Sequence, residues 1–477
     1  MTHLVAVDLG AESGRVAKVT YSGASLTMEV AHRFPNIQVE VGKTLYWDTF
    51  RLWHEIKTGI ELIKDGARSI GVDTWGVDFA LLDRDGNLLG NPVCYRDSRT
   101  DGAMEWTFKR VPRREIFERT GSQFLQLNTL YQLASLLRAN SPLLEVAATY
   151  LGFPDLINYW LTGVKACEFT HATTTQFYNP RARDWDRQLL GAVGLPTDIY
   201  PHIVQPGTRL GDYRGIPVIA PPTHDTGSAV IAVPTTTRNF AYISSGTWSL
   251  IGLEIETPII NDAAYEANVT NEGGAEGKLR FLKNIMGLWL VQQSRAAWRA
   301  EGTDYSYDQL ATMATDAPPF LAFIDPDDPS FFPPGDMPAR IREFCARTGQ
   351  VVPETPGAVL RVIYESLALR YREALDKMIA LSGQTVDRMH IIGGGSQNAV
   401  LCQMTADAIG RPVYAGPVEA TVLGNAIVQL IALGELQSVA DGRALLSQQS
   451  DIKVYEPKNT AAWDAAFARF KGLGQTS

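Results

Sequence analysis

Cysteine is scarce in this chain. There are four in 477 residues, Cys94, Cys167, Cys345 and Cys402, with no C-x-x-C pair and no histidine at metal-ligand spacing beside any of them. That argues against a disulfide framework and a structural zinc site, and makes a reducing compartment the expectation. Basic residues are also short: 43 Lys and Arg stand against 52 Asp and Glu, a net charge of −9. A nucleic-acid binder needs a basic face to neutralise phosphates, so no nucleic-acid partner is expected. Long apolar runs are missing. The longest candidate, Ala420 to Leu433, is broken by Gly424, Asn425 and Gln429 and falls short of the roughly 20 residues that cross a bilayer. The start, Met1 to Asp8, lacks the basic region and apolar stretch of a signal peptide and reads as a strand. The expected protein is cytoplasmic, with no membrane partner.

What is present is ordinary globular composition, 45% hydrophobic and 20% charged, enough for large cores. Strand-like and helix-like segments alternate, which argues for α/β lobes. Leu4–Val7 and Val16–Tyr21 read as strands joined by the bend 10–14, and Ser69–Thr74 with Val77–Asp83 reads as another extended pair closed by Asp85-Gly86. Ile216–Ala220 is a strand stopped by Pro221-Pro222, and Thr226–Val233 a helix with Asp225 in the capping position. Phe240–Ile243 and Ser249–Leu253 form a second hairpin. At an offset of 236 it overlays the first, with Gly10 on Gly246. The echo suggests a duplication, with the polar stretch Pro234–Asn239 as the link. The expected division is an N-terminal lobe, 1–238, and a C-terminal lobe, 239–477. Ala358–Leu381 has the periodicity of a long helix ended by Ser382-Gly383; Arg388–Ile392 is a strand, and Ala399–Ile409 a helix capped by Asn398. The Pro- and Asp-rich segment Asp325–Gly335 reads as a surface loop.

The bend Asp8 to Arg15 packs Gly10, Gly14 and Ser13 between two strands, so backbone N–H groups can approach an anion with no Cβ in the way. It is not a Walker A loop, since no Lys-Ser or Lys-Thr follows and a strand comes next. Asp8, at the strand's end, can reach Mg²⁺ through water. Thr247 offers a hydroxyl and neighbouring amides from the second hairpin, and two such bends can grip a polyphosphate from both sides. Thr223 to Ser228 lies between a strand and a helix, where α/β proteins often present reactive groups. Asp225 there can take the proton of a substrate hydroxyl, which phosphoryl transfer needs mainly for orientation. His224 can hydrogen-bond a hydroxyl. Asp73 to Asp78 and Tyr95 to Asp97 mix aromatic, glycine and polar residues, as sugar sites do. Gly393 to Asn398 leaves bare backbone for an adenine but lacks the G-x-G-x-x-G spacing of a dinucleotide site, which disfavours NAD. Each of these also fits a plainer reading: an empty turn, an N-cap Asp, a core Trp.

Taken in order, the motifs Val5 to Arg15, Val72 to Asp78, Tyr95 to Arg99, His224 to Thr226, Ser244 to Ser249, Thr270 to Glu276, Lys283 to Trp289 and Gly393 to Asn398 resemble the FGGY family of carbohydrate kinases over nearly the whole chain. The resemblance implies α/β architecture with two ribonuclease-H-like lobes of the actin and hexokinase type and a central cleft; because ATP must be kept from water, closure of the lobes on sugar and nucleotide is expected. It implies ATP and Mg²⁺, a small-molecule ketose, and a monomer or weak oligomer. By matching positions, Ala11, Glu12, Ser13, Gly14, Arg15, Thr247, Gln292 and Gly394 would hold ATP. Gly76, His224, Asp225, Thr226 and Asn284 would contact the ketose, with Asp225 as base toward its 1-hydroxyl. The runs 73–78 and 284–289 point within the family to L-rhamnulose, giving its 1-phosphate and ADP in L-rhamnose breakdown. Glu12 departs from the small polar residue the family often carries there, and a carboxylate beside phosphates is repulsive unless it turns outward or reaches Mg²⁺ through water. Kinases for L-fuculose or L-xylulose share the ATP residues, and a non-catalytic actin-like sensor or ATPase shares the fold. Ketose-dependent ATP use separates them.

Overall fold

The run Leu4-Val5-Ala6-Val7 has no polar residue to offer solvent, and all four side chains are fully buried, as a central strand covered on both faces requires. In the computed structural model, which describes residues 1–449 and 451–473, this run lies in β1 (Thr2–Leu9). Residue 450 and the last four residues of the expected second lobe lie outside the described residues. The chain folds into two units. One comprises Met1–Thr236, Glu254–Phe281 and Ala420–Gln449; the other comprises Thr237–Leu253, Leu282–Glu419 and the C-terminal segment.

The first unit holds a six-stranded sheet of β1, β2 (Ser13–Tyr21), β3 (Leu26–Pro35), β4 (Ala67–Thr74), β5 (Arg209–Tyr213) and β6 (Ile216–Ile219), in the order β5-β6-β4-β1-β2-β3. β1 and β2 are antiparallel, β1 and β4 parallel, β4 and β6 parallel, and β5 antiparallel to β6. The second sheet contains β7 (Phe240–Ser245), β8 (Trp248–Ile255), β9 (Thr270–Gly273), β10 (Leu279–Met286), β11 (Arg388–Ile392), β12 (Val413–Ala415) and β13 (Lys453–Tyr455), ordered β9-β10-β8-β7-β11-β12-β13. Again the hairpin strands β7 and β8 are antiparallel, β7 and β11 parallel, β11 and β12 parallel, and β13 antiparallel to β12. Six strands of each sheet thus follow one order, and the sequence echo between Gly10 and Gly246 falls at the same hairpin bend in both.

The interruptions of the apolar run 420–433 have a structural use. The helix Ala420–Ala432 packs on β1 and β4, and its Asn425 and Gln429 face the sheet. Asn425 donates to Asp73 Oδ2 at 2.6 Å and Gln429 to the Val5 carbonyl at 3.1 Å, while Ser69 donates to Gln429 Oε1 at 2.6 Å. Among the described residues no helix is long and apolar enough to cross a membrane. In the second unit the long helix runs Pro356–Ser382, started by the Thr355 side chain and stopped by Gly383 at φ +68°.

Three local expectations are corrected. Val77–Asp83 does not pair with Ser69–Thr74: Val77 takes a left-handed φ of +67°, its amide is held by Thr174, and Phe79–Leu82 pairs instead with Thr149–Gly152. Asp225 is not the helix cap. His224 has the extended backbone of that position, and Asp225 is the first residue of the helix Asp225–Ile231. The segment Asp325–Gly335 is not wholly a surface loop, because Pro329–Phe331 forms a tight turn that buries Phe331 completely.

Candidate active site

In the first unit the expected residues gather at the carboxyl ends of the parallel strands, where open α/β sheets present their ligands. The end of β1 places Asp8 opposite Arg15 on β2 and opposite Asp73 on β4. Arg15 Nε donates to Asp8 Oδ2 at 2.7 Å, and Asp8 is buried. Asp73 is buried too. Burial and the neighbouring Asp8 charge raise its pKa well above the ordinary carboxylate value, against the hydrogen bond from Asn425. Its Oδ1 has no hydrogen-bond partner. The loop 10–14 is closed by the Gly10 amide donating to the Ser13 carbonyl, and Glu12 is exposed, with its carbonyl accepting from the Asn36 amide.

Beyond β4 the Thr74 amide donates to the Thr223 carbonyl, which hangs the His224 loop beside the strand end. Glu168 secures this loop from beneath. Its carboxylate accepts from the amide and hydroxyl of Thr170 and from the amide and hydroxyl of Thr223, and Thr170 Oγ1 accepts in turn from the His224 amide. Burial pushes the Glu168 pKa up while these four donors pull it down. The helix carrying Asp225 is fixed at both flanks. A Cβ at Gly424 would lie 1.8 Å from the Ser228 carbonyl oxygen, so only glycine permits this approach of the helix Ala420–Ala432. At the far end, Arg443 donates to the Val230 and Ile231 carbonyls and pairs with Glu254, whose pKa burial raises but Arg443 outweighs, for a net lowering.

The His224 ring sits among charges. Nε2 is 3.4 Å from Asp225 Oδ1, while Nδ1 is 3.1 Å from Arg280 Nη2 and 3.3 Å from Glu272 Oε2. A Cβ on Gly76 would stand 3.2 Å from His224 Nε2, which places Gly76 against the same ring. Thr226 is buried, with its hydroxyl 3.2 Å from Asp225 Oδ1. Asp8, Asp73 and Glu272 are buried, whereas the Asp225 side chain is 30% exposed and can meet a substrate. His171, beside His224, is driven to a pKa of about 3 by burial and by that neighbour, so it stays neutral.

Trp75 is core. It is buried between Trp47 and Phe153, and its Nε1 donates to Asp78. Asp78 is likewise turned inward, accepting from Trp47, Trp75, Gln132 and the Tyr95 amide. Burial still lifts its pKa to about 6.

The nucleotide residues expected in the second unit are built around the β7–β8 bend. The Thr247 carbonyl accepts from the Gly287 and Trp289 amides, and the Gly246 carbonyl from the Leu288 amide. This ties the bend to the start of the helix Trp289–Ala300, one turn into which lies Gln292. The glycine run follows β11. A Cβ on Gly395 would meet Ser245 Oγ at 2.0 Å, whereas one on Gly394 would meet nothing within 4 Å. Gly395 is therefore small because it packs on the bend, and Gly394 presents an open backbone. Asn398 caps the helix Ala399–Ile409 through the Leu401 amide. Asn284 lies on β10, half-buried.

Sequence reasoning gave no role to Glu168, Thr170, Glu272, Arg280 or Arg443. Glu272 lay inside a motif it singled out, and the threonines at 170, 173, 174 and 175 are a visible signal. Arg280 and Arg443 had none. Among the described residues no group of three or more His, Cys, Asp or Glu is placed to hold a metal ion. All four cysteines are buried and unbridged.

Comparison with known proteins identifies the family. Residues 3–215 match the N-terminal domain, and residues 241–433 the C-terminal domain, of the FGGY family of carbohydrate kinases. A rhamnulokinase of Bacteroides thetaiotaomicron is 46% identical over 479 residues, covering 98% of each chain. One of Pectobacterium atrosepticum is 42% identical, covering 99% of this chain and 97% of its own. The solved structure of a ligand-bound xylulose kinase from Lactobacillus acidophilus superposes with a TM-score of 0.80 at 17% identity, over 100% of this chain and 98% of that one. With both domains matched and close relatives of nearly full length, the chain belongs to the FGGY family of carbohydrate kinases.

Proposed function

We propose that the enzyme transfers the γ-phosphoryl group of ATP to the 1-hydroxyl of L-rhamnulose, releasing L-rhamnulose 1-phosphate and ADP. The relatives named rhamnulokinase, at 42% and 46% identity over nearly the full chain, favour this ketose. The observation that carries the chemistry is the accessible carboxylate of Asp225, flanked by His224 and rooted at the start of a helix pinned at both flanks. In phosphoryl transfer the protein mainly positions the hydroxyl and the phosphate. Asp225 accepts the hydroxyl proton and orients the oxygen. Gly76, His224, Thr226 and Asn284 contact the ketose, with Gly76 leaving room beside the imidazole. Ala11, Glu12, Ser13, Gly14 and Arg15 from the first hairpin, with Thr247, Gln292 and Gly394, hold ATP. The exposed position of Glu12 allows its carboxylate to point away from the phosphates. Residues 1–238 and 239–477 supply the two functional halves, with Glu254–Phe281 and Ala420–Gln449 of the second packing into the first unit, and the enzyme works in the cytoplasm.

Mg²⁺ fits the first unit through two carboxylates, Asp8 and Asp73, which are neighbours across β1 and β4. The unpartnered buried Asp73 Oδ1 is one open acceptor, and an ion held by phosphates and water needs few protein ligands. When bound, the ion would neutralise charge on the transferring phosphates.

A coupled assay of ADP release over a panel of ketoses tests the reading. L-Rhamnulose should give the highest kcat/KM. A higher value for L-fuculose or L-xylulose, or ATP use independent of ketose, would overturn it.

A further inference from the structure

Arg280 is a fully buried arginine for which phosphoryl transfer has no evident use. Its Nε donates to the Gly273 carbonyl at 2.7 Å, its Nη2 lies 3.1 Å from both Glu272 Oε2 and His224 Nδ1, and its Nη1 has no partner. A buried guanidinium with a donor left over is not arranged to maximise its own hydrogen bonds. It is held where Nη2 meets the imidazole.

Arginine has only donors, so its contact with Nδ1 is a hydrogen bond only if Nδ1 offers a lone pair. The proton of the neutral ring then sits on Nε2, facing Asp225 Oδ1 at 3.4 Å. The other tautomer turns two contacts unfavourable at once, setting an N–H against the guanidinium and a lone pair against the Asp225 carboxylate. Glu272 is the rival for Nδ1 at 3.3 Å, but Arg280 already donates to that same Oε2. Any form with a proton on Nδ1 would set that N–H against the Arg280 Nη2–H donor. Which nitrogen of a histidine carries the proton is set by what the other one bonds.

We infer that Arg280 is a positioning residue that fixes His224 in the Nε2–H tautomer, so that His224 donates to one oxygen of Asp225 and leaves the other for the substrate hydroxyl. The role rests on the reading of Asp225 as the base. Glu272 balances the guanidinium's charge and would claim the Nδ1 proton if Arg280 were absent.

Side-chain ¹⁵N–¹H correlation spectra of ¹⁵N-histidine-labelled full-length protein at neutral pH test this without any turnover, with His224 assigned by comparison with His224→Gln. Wild type should show Nε2 protonated and Nδ1 as an acceptor. Arg280→Met should move the proton to Nδ1, toward Glu272, and lower kcat about tenfold or more. A protonated Nδ1 in wild type, as tautomer or imidazolium, overturns the inference, and that result stands even if Arg280→Met does not fold. An unchanged tautomer in folded Arg280→Met overturns it equally. Failure of Asp225 as base shows instead as full activity in Asp225→Asn with the Nε2–H signal intact, so the two claims fail separately.

Discussion

Thr223 donates both its amide and its hydroxyl to one oxygen of Glu168, at 2.9 and 2.7 Å, across 55 positions of sequence. Thr223 precedes His224 and Asp225, so this buried carboxylate fixes the backbone from which the proposed base projects. Glu168→Gln keeps the shape but replaces one acceptor oxygen with an NH₂ that faces donors. The expected loss is about 2 kcal/mol of stability, the scale of a hydrogen bond to a charged group. Turnover should fall further than that loss of folded protein explains. Chemical denaturation and kcat on the same preparation check both. Wild-type values in each would remove Glu168 from the positioning of the loop.

Gly394 and Gly395 are adjacent and face opposite demands. Gly395→Ala drives a methyl into Ser245, 2.0 Å from its Oγ, and should cost roughly 1–3 kcal/mol as overpacking does. Because Ser245 leads into the Gly246-Thr247 bend, KM for ATP should rise as well. Gly394→Ala meets nothing within 4 Å and should leave stability within about 0.5 kcal/mol of wild type. If its methyl nevertheless raises KM for ATP, the open backbone at 394 is where nucleotide lies. Equal thermal shifts for the two variants would contradict the packing described.

Asp78 predicts a pH dependence of stability. Burial raises its pKa from 3.8 to about 6 in the folded chain, despite hydrogen bonds from Trp47, Gln132 and Trp75. The folded state therefore holds this proton more tightly than the unfolded one. The stability it contributes is complete below pH 3.8 and lost as pH rises through 6, an amount of about 3 kcal/mol for a shift of roughly two units. Asp78→Asn should remove that decline, so the wild-type and variant curves of unfolding free energy against pH should differ in slope between these values. Parallel curves would show that Asp78 titrates normally.

Much of this architecture was legible in residue order. The strand Arg388–Ile392, the helix Ala399–Ile409 with its Asn398 cap and the Gly383 stop were read from local signals, and the structure places them where those signals fall. Local chemistry fixes them: a side-chain cap, a left-handed glycine, a short β-branched run. The pairing of Phe79–Leu82 was not legible, because its partner lies at Thr149–Gly152 and the diverting turn at Val77 uses a β-branched residue at positive φ, which no propensity favours. The acidic residue of the candidate site, Asp225, announced itself between a strand and a helix. The groups that orient it did not, since Glu168, Glu272 and Arg280 act through contacts distant in sequence, and a lone arginine in a strand carries no signal of burial. Trp75 was ambiguous for the opposite reason: an aromatic beside glycine suits a sugar platform and a core equally, and only its tilted packing between Trp47 and Phe153 decides.

The proposed chemistry turns on the carboxylate of Asp225. Steady-state turnover of Asp225→Asn with L-rhamnulose and ATP, compared with wild type at matched folded fraction, tests it most directly. The expected result is a kcat lower by about 10² to 10⁴, the usual worth of a general base, with an unchanged unfolding midpoint. Wild-type kcat in a folded Asp225→Asn enzyme would contradict it.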